Sequence, residues 1–432
     1  MTMPKRRFIP TPLAACLLAA FVLPLPAAAA DDPEIDPLAL ESAPAAAAPA
    51  KAAADGKLYI EAAAGLQSRR YGMDTQGTHR VSVDFSRRFK PAPQWHAALS
   101  DRLDHLQPPG GMDDPRTLNS LREAYLGWTA ESSTTLVEFG RINVRNGPGY
   151  GYNPTDFLRA GSLRSPTTVD PMQLRENRLG TVMLRGQHLA GDHSVSLLLA
   201  PKLENAPERR SWSLDLGATN SRDRALATWG LRWSETFSTQ LLAFGEQGRS
   251  PQWGASATAL LSEALVGHAE WSSAREPTAL DRLLMREAPQ NRRDRAALGL
   301  TMALPAKVSL TVEYAYNGLG LSRGELPTAQ AAGPLALGHF LADAADRQDQ
   351  ASRHAWTVYA TKSGLVLRKL DLTALLRHNA VDHSLMGWLE LRHRWDGADL
   401  ALQWQWQKGN ALTEYGLPTM RQALQVMGVW YF

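Results

Sequence analysis

Leu400-Ala-Leu-Gln-Trp-Gln-Trp-Gln407 alternates without a break: Leu400, Leu402, Trp404 and Trp406 fall on one side of an extended chain, Ala401, Gln403, Gln405 and Gln407 on the other. Successive strand side chains point to opposite faces, so this stretch reads as a strand with one greasy and one polar side. The pattern recurs upstream. Val308, Leu310, Val312, Tyr314 and Tyr316 alternate with Ser309, Thr311, Glu313, Ala315 and Asn317; Val81, Val83 and Phe85 alternate with Ser82 and Asp84; Leu370, Leu372, Ala374 and Leu376 alternate with Lys369, Asp371, Thr373 and Arg377. A period of two sustained along the chain predicts an all-β protein.

Eighteen such segments follow one another, near 57–66, 78–89, 95–103, 118–129, 134–144, 178–189, 193–200, 224–234, 237–247, 254–263, 265–274, 294–304, 306–317, 353–363, 366–378, 383–395, 397–407 and 421–432. What separates them decides between a soluble sandwich and a membrane barrel. Connections after even-numbered segments are very short (Glu235-Thr236, Ala264, Pro305, Gly364-Leu365, Asp396), whereas those after odd-numbered ones are mostly long and polar, including 145–177, 201–223, 275–293 and 318–352. Short turns at one end and long loops at the other are the signature of an outer-membrane barrel of Gram-negative bacteria. No run of eighteen apolar residues offers a transmembrane helix. In hydrocarbon an open sheet edge would strand unpaired N–H and C=O groups, so the sheet is expected to close into an antiparallel transmembrane β-barrel of about 18 strands. A barrel of that size is too wide for side chains to fill, and its lumen holds water, an inward-folded loop, or both. Trp95, Trp128, Trp233, Trp271 and Trp395 sit near presumed strand ends, where interfacial girdles belong.

Composition agrees. Among 432 residues, 21% are charged, mean hydropathy is −0.29, and Cys16 is the single cysteine, which excludes a disulfide framework. Residues 1–30 carry Lys5, Arg6 and Arg7, an apolar run from Leu13 to Leu25 and Ala27 to Ala30 before Asp31, the layout of a cleaved signal peptide. Without them the chain has 43 basic and 43 acidic residues, so no global basic footprint for nucleic acid exists. Residues 31–56 are Ala/Pro-rich, have no apolar period, and read as a disordered periplasmic extension. The barrel is assigned to 57–432. Its last residues, Gln425 to Phe432, place Val426, Gly428, Trp430 and Phe432 on one face. This end resembles the terminal strand by which outer-membrane proteins are recognised for insertion, which implies the barrel-insertion machinery as a partner through Phe432.

Residues 141–185 depart from the alternation. They hold seven arginines (Arg141, Arg145, Arg159, Arg164, Arg175, Arg178 and Arg185) and three acids (Asp156, Asp170 and Glu176), with Gly147, Pro148, Gly149, Gly151 and Pro154 disfavouring a strand. A long loop so rich in guanidinium and turn residues is expected to fold into the lumen and constrict it, with these arginines, Tyr152, Asp156 and Glu176 at the constriction. Other lumen faces carry Asp84, Glu123, Glu270, Glu313 and Glu390. For Arg141, Arg145 and Arg185 two roles stand side by side: a structural ladder against acids across the wall, or a ring contacting solute through fixed positive charge and paired hydrogen bonds.

Gly140-Arg141 with Gly147, then Tyr152-Asn-Pro-Thr-Asp-Phe157, then Arg175-Glu-Asn-Arg-Leu-Gly180 resembles a pattern of large single-chain outer-membrane barrels, the alginate-export-type channels and their porin-like relatives. The resemblance implies an eighteen-strand monomer with an arginine-lined, loop-gated conduit for acidic polymers or small acids.

The eleven histidines are the other place to seek chemistry. His193 and Ser194 are adjacent, hence on opposite strand faces, which is wrong for a catalytic dyad. His378 and His383, with Asp382, offer a loop site for a metal or merely a polar surface; His393 stands alone. No His-Glu-x-x-His, Gly-x-Ser-x-Gly or Cys-x-x-Cys occurs. Neither cofactor nor metal is expected. Short helices are expected at Leu280–Arg286 and Leu335–Arg347. The reading is therefore an outer-membrane channel, not an enzyme, whose partners are membrane lipid and a small hydrophilic or acidic solute or an exported polysaccharide. An outer-membrane lipid or peptide hydrolase, or a plugged barrel docking a periplasmic partner, are the alternatives.

Overall fold

The computed structural model describes residues 56–107, 117–208, 210–287 and 291–432. The expected leader and extension (1–30 and 31–56) lie outside these residues, apart from Gly56, which opens the first strand. In chain order the strands are β1 (Gly56–Arg69), β2 (Gln76–Ala92), β3 (Trp95–Gln107), β4 (Thr117–Thr129), β5 (Thr135–Ile142), β6 (Thr181–Ala190), β7 (His193–Ala200), β8 (Arg224–Ser234) and β9 (Phe237–Glu246). They continue as β10 (Gln252–Ser262), β11 (Leu265–Arg275), β12 (Arg292–Leu304), β13 (Val308–Asn317), β14 (His354–Lys362), β15 (Leu370–Asn379), β16 (Leu385–Arg394), β17 (Ala398–Lys408) and β18 (Met420–Tyr431). Each pairs antiparallel with the next, and β18 closes on β1 with Tyr431 opposite Tyr59. No backbone edge is left open, which is what a wall in hydrocarbon requires. No helix among the described residues is long and apolar enough to cross a membrane.

Alternation sets the two faces. On β12, Leu298 and Leu300 are 55% and 44% exposed on the outer side, while Arg295, Ala297, Gly299 and Thr301 are buried on the inner one. Trp95, Trp233, Trp271 and Trp395 are exposed; Trp128 is half-buried and donates its indole N–H to Gln94 (3.1 Å). Tight turns join strands at one end. Ala306 and Lys307, both at positive φ (63° and 57°), turn β12 into β13, the left-handed geometry that matches hairpin twist.

Most strand limits shift by a few residues from the sequence expectation, and three of the shifts bear on the loops. β5 stops at Ile142, and β6 begins at Thr181, so Arg178 precedes the strand rather than starting it. β15 begins at Leu370 rather than at 366, because Gly364 (φ 64°) donates to the Asp371 carboxylate (3.0 Å) and Leu365 N–H to Leu370 O (2.7 Å), closing a wider turn. The long loops carry helices α1 (Pro171–Glu176), α2 (Leu216–Thr219), α3 (Ala279–Leu283), α4 (Leu326–Ala331) and α5 (Gly333–Asp346). Thus α3 and α5 fall where helices were expected. Leu283, Leu337, Phe340 and Ala344, with Leu321 and Ala351, pack α3 and α5 into an apolar cap at the long-loop end.

The inner wall stays buried because its charges are paired. Glu61 (β1) takes Arg80 (2.6 Å) and Arg102 (2.5 Å); Arg102 also reaches Asp84 (3.1 Å) and Asp104 (3.0 Å), and Arg122 reaches Asp84 (2.5 Å). Breaking one partner of such a ladder leaves a buried charge uncompensated. Across β5 to β9 part of the inner wall is apolar instead: Ile142, Met183, Leu198, Leu226, Leu242 and Phe244 form one buried cluster. Apolar side chains facing a water-filled lumen need a cover, and the loop after β5 supplies it.

Candidate functional site: a loop seated across the barrel

Residues 143–180 leave the wall because Gly147 (φ 79°), Pro148, Gly149 and Gly151 abandon strand geometry. Their backbone amides find two inner-wall carboxylates. Gly149 N–H donates to Glu270 on β11 (2.7 Å), as do Thr155 N–H (3.2 Å) and the Thr155 hydroxyl (2.5 Å). Tyr150, Gly151 and Tyr152 N–H donate to Glu313 on β13 (2.8, 3.1 and 2.8 Å), and Glu313 also contacts His268 (3.2 Å). Successive N–H groups turned toward one point form a concave anion site; here the anion is the barrel's own glutamate. Glycine is needed for the approach, since a Cβ at Gly147 would overlap the Glu270 carboxylate and one at Gly151 would overlap Thr357.

Apolar contacts complete the seat. Phe157 stacks on Phe244 of β9 (centroids 5.1 Å, planes 7° apart), and Leu158 joins the cluster of β5 to β9. Tyr150 meets Tyr359 of β14 (5.5 Å), and Val169 packs on Leu375, Met386 and Trp388 of β15 and β16. Asp170 then caps α1 through Met172 N–H (3.0 Å) and shares a hydrogen bond with Tyr359. Burial pushes its carboxyl up to about 6, and Glu390 and Glu176 push the same way. At the other end of α1, Asn177 accepts from Arg122 of β4 (2.8 Å). β4 and β14 lie nearly opposite in the ring, so α1 bridges the lumen.

The arginines divide by what they touch. Buried Arg141 donates to the carbonyls of Gly180 (2.9 Å) and Leu214 (2.6 Å), tying the loop's return to the 201–223 loop. Arg159 bonds Asp349 (3.3 Å) and Asn153 O and lies over the Tyr152 ring, whose hydroxyl also donates to Asp349 (2.8 Å). Arg164 pairs with Asp215 (3.0 Å), Arg178 with Asp156 (2.8 Å) and Arg185 with Glu138 (3.2 Å). Among the described residues Arg175 donates only to carbonyls, those of Asn146, Gly147 and Gly149 (3.2, 2.9 and 3.2 Å). Arg145 and Glu176 are exposed, and Arg145 makes no ion pair among the described residues. Asn143 holds the two ends of this region together, its amide donating to Arg175 O (3.0 Å).

Sequence reasoning named Glu270 and Glu313 as lumen acids but did not connect them to the loop, and it missed Asp349 and the Arg80–Arg102–Arg122 ladder. The ladder had a signal, arginine on the polar face of three consecutive strands. The carboxylate seats had none, because backbone N–H donors carry no sequence pattern. The histidines named from the sequence converge on nothing chemical: His193 stacks on Trp229, His393 packs at a tilt against Trp395, and the His378 and His383 rings are 6.2 Å apart. No group of three metal-ligating side chains occurs among the described residues.

A closed eighteen-strand antiparallel barrel with a loop folded inward has the architecture of a porin-type β-barrel. The chain is similar in structure to OccAB1 of Acinetobacter baumannii, with a TM-score of 0.53 at 9% identity, covering 87% of this chain and 96% of that one. OprB of Pseudomonas putida (TM-score 0.48, 10% identity, 88% and 94% covered) and OprD of Pseudomonas aeruginosa (0.46, 10%, 88% and 93%) are further neighbours. No protein-family model matches the chain, and neither does any curated protein. The likeness to OccAB1 carries the porin-like barrel fold of the sequence resemblance; the alginate-export part is not shown.

Proposed function

We propose that the protein is an outer-membrane channel for small hydrophilic solutes, with some preference for acidic ones, and that residues 143–180 form its fixed constriction. The observation that supports this is the seating of the loop: both walls hold it, through Glu270 and Glu313 on one side and through Tyr359, Trp388 and Arg122 at the ends of α1. A crossbar of this kind sieves by size and suits small solutes; an exported polymer would need it to leave its seat. Arg141, Arg159, Arg164 and Arg178 hold the loop in place. Arg145 is exposed, and neighbouring Arg175 has no carboxylate bond among the described residues, so these two supply fixed positive charge to passing anions, offset in part by exposed Glu176. No bond chemistry is involved.

Planar-bilayer recording tests the proposal. The purified barrel should pass a steady ionic current, a KCl gradient should give a reversal potential on the anion-selective side, and deleting 147–172 should enlarge the conductance. A barrel silent both before and after the deletion would favour a plugged docking barrel and remove channel function.

A further inference from the structure

The outer surface carries a groove that the channel reading does not use. Its volume is about 470 Å³ and its lining is almost wholly apolar. Trp229 and Trp233 of β8 wall one side and Trp271 of β11 the other; between them the outward positions of β10 and β11 shrink to Ala255, Ala257 and Ala269. All three tryptophans are exposed, so the groove opens outward rather than into the lumen. Facing lipid, such a groove stays neither empty nor wet: it is apolar, and close packing makes a void costly.

Charge lies directly above it. On the same face of β11, four residues beyond Trp271 and about 13 Å along the strand, comes Arg275; its register partner on β12 is Arg292. Both are exposed, neither forms an ion pair among the described residues, and Arg292 reaches down the outer face to the Ser273 hydroxyl (3.4 Å). Like charges directly opposite on a sheet repel. The exposed Asp294 shares the face two residues along β12 without pairing with either, so the cluster stays net cationic. Two guanidiniums above an apolar slot, at the long-loop end of a tryptophan-flanked band, match an amphiphile with an anionic head: paired N–H donors suit phosphate, and the slot suits an acyl chain.

We propose that this wall binds one phosphorylated glycolipid from the leaflet at the long-loop end, its acyl chain in the groove and its phosphate on Arg275 and Arg292. The choice of leaflet lipid rests on the outer-membrane channel proposed above, since the long loops of such barrels face the cell exterior. The experiment uses the full-length folded barrel in phosphatidylcholine nanodiscs, with diphosphoryl lipid A, its dephosphorylated form and phosphatidylglycerol as probes and native mass spectrometry as readout. Wild type should retain one diphosphoryl lipid A. Arg275→Gln with Arg292→Gln should lower retention at least tenfold, and Ala257→Trp, which fills the groove, should do the same, with Ala257→Leu in reserve if the bulkier variant fails to assemble. Arg232→Gln, exposed at the short-turn end beside Asp192 (3.0 Å) and away from the groove's arginine pair, should change nothing. Equal retention of the dephosphorylated lipid, preference for phosphatidylglycerol, or indifference to the arginine pair would each overturn the proposal. The arginine variants should conduct like wild type, so a silent barrel that still retains lipid A would count against the channel alone.

Discussion

Replacing Glu313 with alanine should unseat the inward loop while leaving the barrel closed. β13 pairs with β12 and β14 through its backbone, which the substitution does not touch. What disappears is the acceptor for Tyr150, Gly151 and Tyr152 N–H. At a net of about 1–1.5 kcal/mol for each hydrogen bond, losing three weakens docking by about 3–4.5 kcal/mol. Since 1.4 kcal/mol is tenfold, the docked-to-released ratio falls by about 10²–10³. Two readouts apply to the same folded barrel. Single-channel current should change from a steady level to frequent steps of larger conductance, and trypsin should cut after Arg145 or Arg175 faster than in wild type. Glu313→Gln keeps the volume and one acceptor oxygen, so it should fall between the two, and it serves if the alanine variant fails to assemble. Wild-type current and wild-type trypsin resistance in either folded variant would refute the idea that carboxylate–amide contacts hold the constriction.

Four further outcomes follow from the same geometry. Gly147→Ala should weaken the seat by about 1–3 kcal/mol, because it adds a side chain at φ 79° against the Glu270 carboxylate, with the trypsin rate as the measure. Phe157→Ala removes the ring stacked on Phe244 and should cost loop docking about 3 kcal/mol or more, read as faster hydrogen exchange over 143–180. Arg145→Glu should move the reversal potential toward cations while shifting stability by less than about 0.5 kcal/mol, because its side chain is exposed and unpaired among the described residues. Burial, with Asp382 beside it, raises the Glu414 carboxyl to about 7, with Asn379, Tyr415 and Arg377 as its other neighbours. A raised carboxyl favours the folded loop when protonated, so docking of 409–419 should be strongest below about pH 4.5 and weaken as pH rises through 7. Hydrogen exchange across that range should show it, and Glu414→Gln should abolish the dependence.

How far the sequence reaches differs between the wall and the loop. The strand assignments rest on alternation within single segments, such as Leu400 to Gln407, and eighteen of them recur in the structure with limits shifted by a few residues. The shifts sit where a side chain or glycine intervenes: Gly364 and Asp371 widen one turn, and Arg178 belongs to a loop because Asp156 holds it there. The inward loop was legible as an anomaly, a glycine- and arginine-rich stretch without alternation. Which arginines face solvent was not: Arg145 and Arg178 look alike in sequence, yet one is exposed and the other is paired and buried.

By itself the sequence determined the strand count, the two-faced wall and the sorting of short turns from long loops, because each is local: a period of two needs only neighbours along one chain. Only the tertiary structure decided where the loop sits and which charges remain free. Gly149 meets Glu270 across 121 positions and Tyr150 meets Glu313 across 163. The donors there are main-chain N–H groups common to nearly every residue, so nothing in their side chains announces the partner until closure of the ring brings β11 and β13 around to face them.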